Sequence, residues 1–171
     1  GNNPAEPASH RAQFEVEARN IMKALRNHPS IVMWVPFNEG WGQFDTPRVV
    51  DIVMREDPRR LINNASGWTD AGVGDVMDVH IYPGPGMASA ESKRASVLGE
   101  FGGLGLPVEG RTWVEKDNWG YVSYKSPEEL TDAYVSLIDK LSPLITQGLS
   151  AAVYTQTTDV EIECNGWMTY D

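Results

Sequence analysis

The sequence predicts an α/β domain, a parallel sheet flanked by helices, and three observations carry that expectation. Segments of helical period alternate with short strand-like segments along the chain. The apolar run at 31–35 is continuous and of strand length, the pattern of a parallel strand covered on both faces. Gly- and Pro-rich turns separate the later strand segments. The alternation fits either a doubly wound sheet or a closed barrel. A complete (β/α)8 barrel needs eight strands and about 250 residues. The 171 residues supply five strand segments, so barrel material here is the later part of one.

The first helix follows a Pro-rich opening. Ser9 can cap it, and Phe14, Ala18, Ile21, Met22 and Leu25 recur on one face. The strand at 31–35 comes next and ends just before Asn38 and Glu39. Thr46 followed by Pro47 reads as a cap and first helical position. Val49, Val50, Val53 and Met54 stripe that second helix until Pro58 stops it.

Strands are expected at 60–66, 75–83 and 95–101, with one short helix between Tyr82 and Ser96. Residues 102–125 form a long connection carrying Trp113, Trp119, Tyr121 and Tyr124, read as a functional loop because structureless links of that length are uncommon in compact domains. Ser126-Pro127-Glu128-Glu129 is a capping box, and Leu130, Tyr134, Leu137, Ile138 and Leu141 stripe a helix that ends at Gly148. A fifth strand follows at 150–156.

Composition narrows the function. Fourteen Lys and Arg against 24 Asp and Glu give a net charge of -10, which offers no basic surface for nucleic acid or an anionic membrane. No apolar run reaches the roughly 20 residues of a membrane span, and the first ten residues lack the regions of a signal peptide. The single Cys164 excludes an internal disulfide, and His10, His28 and His80 lack metal-ligand spacing, so no metal site is expected. The glycines Gly102, Gly103 and Gly105 follow a strand, but Pro107 and the absence of a following helix remove the context of a dinucleotide loop. Ser66 sits in no Gly-x-Ser-x-Gly elbow.

In parallel α/β architectures functional groups collect at the carboxyl ends of strands. Those ends hold Asn38 and Glu39, Asn64 to Trp68, His80 and Tyr82, Glu100, and Tyr154 to Gln156. A carboxylate there loses hydration and must be paired, protonated or used. Two carboxylates in one pocket push their titrations apart, so that one is protonated while the other is ionised, as acid-assisted attack on an acetal requires. Glycoside hydrolysis with retention sets the two groups about 5–5.5 Å apart.

The segments "HPSIVMWVPFNEGW", "VHIYPGP", "VLGEFGGLGLP" and "VYTQTTDVEIECNGWMTYD" resemble glycoside hydrolase family 2, the β-galactosidases, β-glucuronidases and β-mannosidases, across residues 28–171. The resemblance implies a partial (β/α)8 TIM barrel, approximately strands 4 to 8 with flanking helices, and no cofactor. It implies that Glu39 is the general acid/base, Glu100 the nucleophile, and Asn38 a hydrogen-bond partner of the sugar 2-hydroxyl. It further implies that Tyr82 hydrogen-bonds the nucleophile and that His80 lines the sugar pocket. A lone histidine among apolar neighbours is also the usual picture of a core residue. Trp68, Trp41 and Trp113 can stack on sugar faces, and Trp68 ranks first because it follows a strand end directly.

Residues 1–8 read as an appended remnant and linker, and 9–171 as the C-terminal part of the catalytic barrel. The expected reaction is β-galactosidase-like cleavage of terminal β-linked sugars on a carbohydrate substrate. The rival reading is a catalytically inactive barrel fragment with at most weak sugar binding. With the earlier barrel strands missing, strands 31–35 and 150–155 are expected to be sheet edges, and self-association through them is expected.

Overall fold

The computed structural model describes residues 7–171 and divides them into two compact units. The first runs to Asp78 and takes in Glu91–Ser96, and the second comprises Val79–Ala90 and Val97–Asp171. Most of the 1–8 remnant and linker lies outside the described residues.

The first unit opens with α1 (Ala8–Leu25). It starts one residue ahead of the expected Ser9 cap, with Pro7 at the cap position and no side-chain cap bond. Strand β1 (Met33–Trp34) pairs in parallel with β2 (Leu61–Ile62), Met33 opposite Leu61. Both are shorter than the expected strands at 31–35 and 60–66. The run at 31–35 is not covered on both faces, because Val32 is 66% and Val35 48% exposed. Among the described residues β1 has one strand partner, β2.

Between the strands lies α2 (Thr46–Glu56), which buries Val49, Val50 and Val53 and leaves Met54 outside. Its cap is Asp45, in a left-handed conformation, rather than Thr46; the Thr46 hydroxyl instead accepts from Gln43 Nε2 at 2.8 Å. Two apolar clusters hold the unit. Met22, Val50, Val53 and Ile62 make one, and Phe37, Phe44, Val49 and Ala65 the other, with Phe14 stacked on Phe37 at 5.3 Å between centroids. Arg60 ties the segment before β1 to the one before β2. Its guanidinium donates to the carbonyls of Arg26, His28 and Ile31 and pairs with the buried Asp57.

Strands β3 (Val76–Ile81) and β4 (Ala95–Gly102) pass from the first unit into the second, where they join β7 (Leu149–Thr155) in the order β3-β4-β7. No helix forms between Tyr82 and Ser96. The long connection contains a parallel pair of short strands, β5 (Leu104–Gly105) and β6 (Val122–Ser123), which the sequence reading treats as loop. Their shortness explains this, since two residues carry no readable alternation.

Helix α3 (Pro127–Asp139) is capped as expected: Ser126 Oγ accepts from the Glu129 N–H at 3.2 Å, while the Glu129 carboxylate accepts from the Lys125 N–H. The expected single helix to Gly148 is two, with α4 (Leu141–Gln147) separate. Gly148, at φ +113°, closes α4 in a conformation that favours glycine. Leu98, Phe101, Leu104, Leu137 and Leu149 form the core of this unit.

Candidate active site

In the first unit the chain beyond β1 and β2 keeps its parallel relation as far as Asn38 and Ser66. The Glu39 N–H donates to the Ser66 carbonyl at 2.7 Å, and the Ser66 N–H to the Phe37 carbonyl at 2.9 Å. Glu39 then turns the backbone at φ +54°, followed by Gly40 at φ +79°. A Cβ on Gly40 would sit 2.6 Å from Thr69 Oγ1, so this turn has room only for glycine. The result is a half-buried carboxylate at the carboxyl-terminal end of an extended segment, where the sequence places it. Beneath it the buried Asp78 accepts from Asn63 Nδ2 at 2.5 Å and from the Ser66 hydroxyl at 2.7 Å, which fixes the segment carrying Ser66.

Asn38 is exposed and lines a groove of 310 Å³ with Phe37, Trp41 and Phe44. Trp68 and Trp41 are 64% and 67% exposed, and Trp113, in the second unit, is 55% exposed. None is a core aromatic, which leaves their faces available. Trp113 packs in part on Tyr170 at 4.8 Å between centroids.

The second unit gathers a denser polar cluster around Glu100. His80 and Tyr82 alternate along the β3 segment and share a face, as every second residue of a strand does. The Tyr82 hydroxyl donates to Glu100 Oε2 at 2.5 Å, and His80 Nδ1 lies 3.3 Å from the same oxygen. Thr155 Oγ1, at the end of β7, is 2.9 Å from the Tyr82 oxygen and is placed to donate to it. Tyr121 stacks on Tyr82 at 3.6 Å, and Trp119 meets Tyr121 edge-on at 5.3 Å. Burial first, and then the bond to Glu100, hold the Tyr82 phenol well above its ordinary range. It is therefore a permanent donor to the carboxylate at any working pH. The His80 side chain is buried in contact with Glu100 rather than sealed in an apolar core.

A perturbed carboxylate also lies in this unit. Glu163, in the segment after β7, accepts from Asn165 Nδ2 at 3.2 Å. Burial pushes it above the ordinary carboxylate range, and the negative charges of Glu100 and Asp159 add to the effect against the lowering by Asn165. The sequence reading does not single out Glu163, Tyr121 or Thr155 by role. Glu163 follows no strand end, so its approach to Glu100 has no local signature.

A model of the family described as "Glycosyl hydrolases family 2, TIM barrel domain" matches residues 2–90. The chain belongs to glycoside hydrolase family 2. No curated protein matches it. The family 2 match spans Asn38, Glu39, Trp68, His80 and Tyr82, and Glu100 lies beyond it. Family membership makes the fold α/β and the parent protein of glycosidase type.

Proposed function

We propose that this family 2 chain carries the two catalytic carboxylates of a retaining, β-galactosidase-like glycosidase acting on terminal β-linked sugars. The observation that carries the reading is Glu100 at the end of a buried strand, with the Tyr82 hydroxyl and His80 both on its Oε2. A nucleophilic carboxylate needs such fixation, because a rotating one rarely meets the anomeric carbon in line. The oxygen left free of Tyr82 is the one suited to attack. Glu39 protonates the glycosidic oxygen as Glu100 forms a bond to C1, and the aglycone leaves as an alcohol. Glu39, now a carboxylate, then takes a proton from water, whose oxygen displaces Glu100 and releases the sugar with its configuration kept.

Asn38 precedes the acid/base and is suited to hydrogen-bond the 2-hydroxyl, and Trp68 offers an exposed ring to a pyranose face. In this reading residues 9–171 are the later part of a (β/α)8 barrel, with β1 as its fourth strand and β7 as its eighth. The reaction's bonds are all made by protein carboxylates and water.

Turnover of aryl β-glycosides by the wild-type protein and by Glu39→Gln and Glu100→Gln tests the assignment. Each variant should lose most of its activity, and near-normal turnover in either would overturn its role. Azide should rescue Glu100→Ala by supplying an external nucleophile. Sugar binding without any turnover in the wild type would favour the inactive-fragment reading.

A further inference from the structure

We propose that Ser66, anchored by Asp78, is a positioning residue for Glu39 and through it sets how well the acid/base protonates the departing group. This rests on the reading of Glu39 as the acid/base.

The backbone at Glu39 calls for such a device. Glu39 sits at φ +54°, in the left-handed region that a residue with a side chain rarely adopts. Residues in that region persist where their surroundings over-determine them, and they cluster at functional sites. Here the neighbouring segment supplies the constraint. The Glu39 N–H donates to the Ser66 carbonyl at 2.7 Å, and the Ser66 N–H donates to the Phe37 carbonyl at 2.9 Å. Both bonds run through Ser66. Past the turn, Gln43 Nε2 donates to the Thr69 carbonyl at 3.0 Å, which ties the two segments a second time.

Ser66 is itself fixed from the interior by its side chain. Its hydroxyl donates to Asp78 Oδ2 at 2.7 Å, and Asn63 Nδ2 donates to the same oxygen at 2.5 Å. Asp78 and Asn63 are each 3% exposed. Hydrogen bonds to a carboxylate are stronger than those between neutral groups, and a buried carboxylate that loses a donor is left short of partners. Asp78 lies within β3, so the anchor stands on a regular strand rather than on a loop, as precise positioning requires. The relay runs from Asp78 to the Ser66 hydroxyl, and from the Ser66 carbonyl to the Glu39 N–H.

The rest of the loop is held independently. Asn64 Nδ2 donates to Asp70 Oδ1 and to the Val73 carbonyl, and Arg94 bonds both oxygens of Asp70. Removing the Ser66 hydroxyl therefore loosens the point that touches Glu39 and leaves the far end of the loop in place. That division separates a positioning role from a structural one.

The test is kcat/KM on a series of aryl β-glycosides whose leaving phenols rise in pKa. A dinitrophenolate departs without a proton and a simple phenolate does not, so the tilt of the series reads lost proton donation. Ser66→Ala and Asp78→Asn should each lower kcat/KM about tenfold to a hundredfold on the phenyl glycoside, and several times less on the dinitrophenyl glycoside. The double variant should lose no more than the worse single one, since both act through one bond. In both variants the Glu39 amide should exchange its hydrogen faster by NMR, a readout that needs no turnover. Arg94→Gln, which loosens the loop from its far end, should leave the series untilted. An untilted series in Ser66→Ala, an equally steep tilt in Arg94→Gln, or unaltered Glu39 exchange would overturn the proposal. Glu39→Gln is run alongside. A steep tilt there with none in Ser66→Ala defeats the positioning role alone, whereas no tilt in Glu39→Gln defeats the reading of Glu39 itself.

Discussion

Gly102 closes β4 two residues after Glu100, and replacing it with alanine tests how tightly the site is tied to the core. Its φ is +101°, a conformation that costs a residue with a side chain about 1–2 kcal/mol. A Cβ there would also overlap the Tyr154 ring, meeting Cε2 and lying 2.7 Å from Cδ2 and 2.8 Å from Cζ. That ring cannot swing aside, because Phe101 and Tyr134 meet it edge-on and Trp167 stacks on it at 5.1 Å. Overpacking of this kind costs about 1–3 kcal/mol, so Gly102→Ala should destabilise by about 2–5 kcal/mol.

Gly110 supplies the control. It has φ +75° with nothing within 4 Å of a Cβ, so Gly110→Ala isolates the backbone cost. At about 2–4 °C per kcal/mol for a chain of this size, melting should fall by about 2–8 °C for Gly110→Ala and about 4–20 °C for Gly102→Ala. Circular dichroism melts measure both. In a Tyr154→Leu background the clash disappears, and a double-mutant cycle should return about 1–3 kcal/mol of coupling. A Gly102→Ala no worse than Gly110→Ala, or a cycle without coupling, would refute the steric argument.

Tyr82→Phe deletes the bond to Glu100 while keeping the stack on Tyr121. A hydrogen bond to a charged group is worth about 1.5–3 kcal/mol, which predicts a roughly 10- to 150-fold fall in kcat/KM on an aryl β-glycoside. A loss under twofold would remove Tyr82 from the mechanism. Arg94 holds Asp70 and Glu91 below the ordinary carboxylate range, chiefly by direct hydrogen bonds to each. Stability from depressed carboxylates is present above their unfolded pKa of about 4 and is lost as pH falls through the lower folded values. The melting gap between wild type and Arg94→Gln should therefore be full near neutral pH and close in acid, and a gap constant with pH would contradict this. Strands β1 and β7 each have one sheet neighbour among the described residues, and Val32, Val35 and Val153 are exposed. Association of the 171-residue chain is expected in light scattering, and a monodisperse monomer would show that the edges are protected.

The amino-acid sequence by itself determined the features whose causes are local. The Ser126 cap, the stop at Gly148, the stripe of Val49, Val50 and Val53, and the placement of Glu39 beyond an apolar run and of Glu100 near the end of an apolar strand all follow from periodicity and neighbouring residues. The family was legible too, because its motifs are contiguous runs. What only the tertiary structure decided depends on partners far away in the chain. An apolar run at 31–35 could not reveal that two of its residues pair and Val32 and Val35 stay exposed, since pairing is set by the neighbouring strand. Nor could Tyr121 or Thr155 be tied to Tyr82, or Glu163 to Glu100, because stacking, hydrogen bonding and charge act through space and leave no periodic trace.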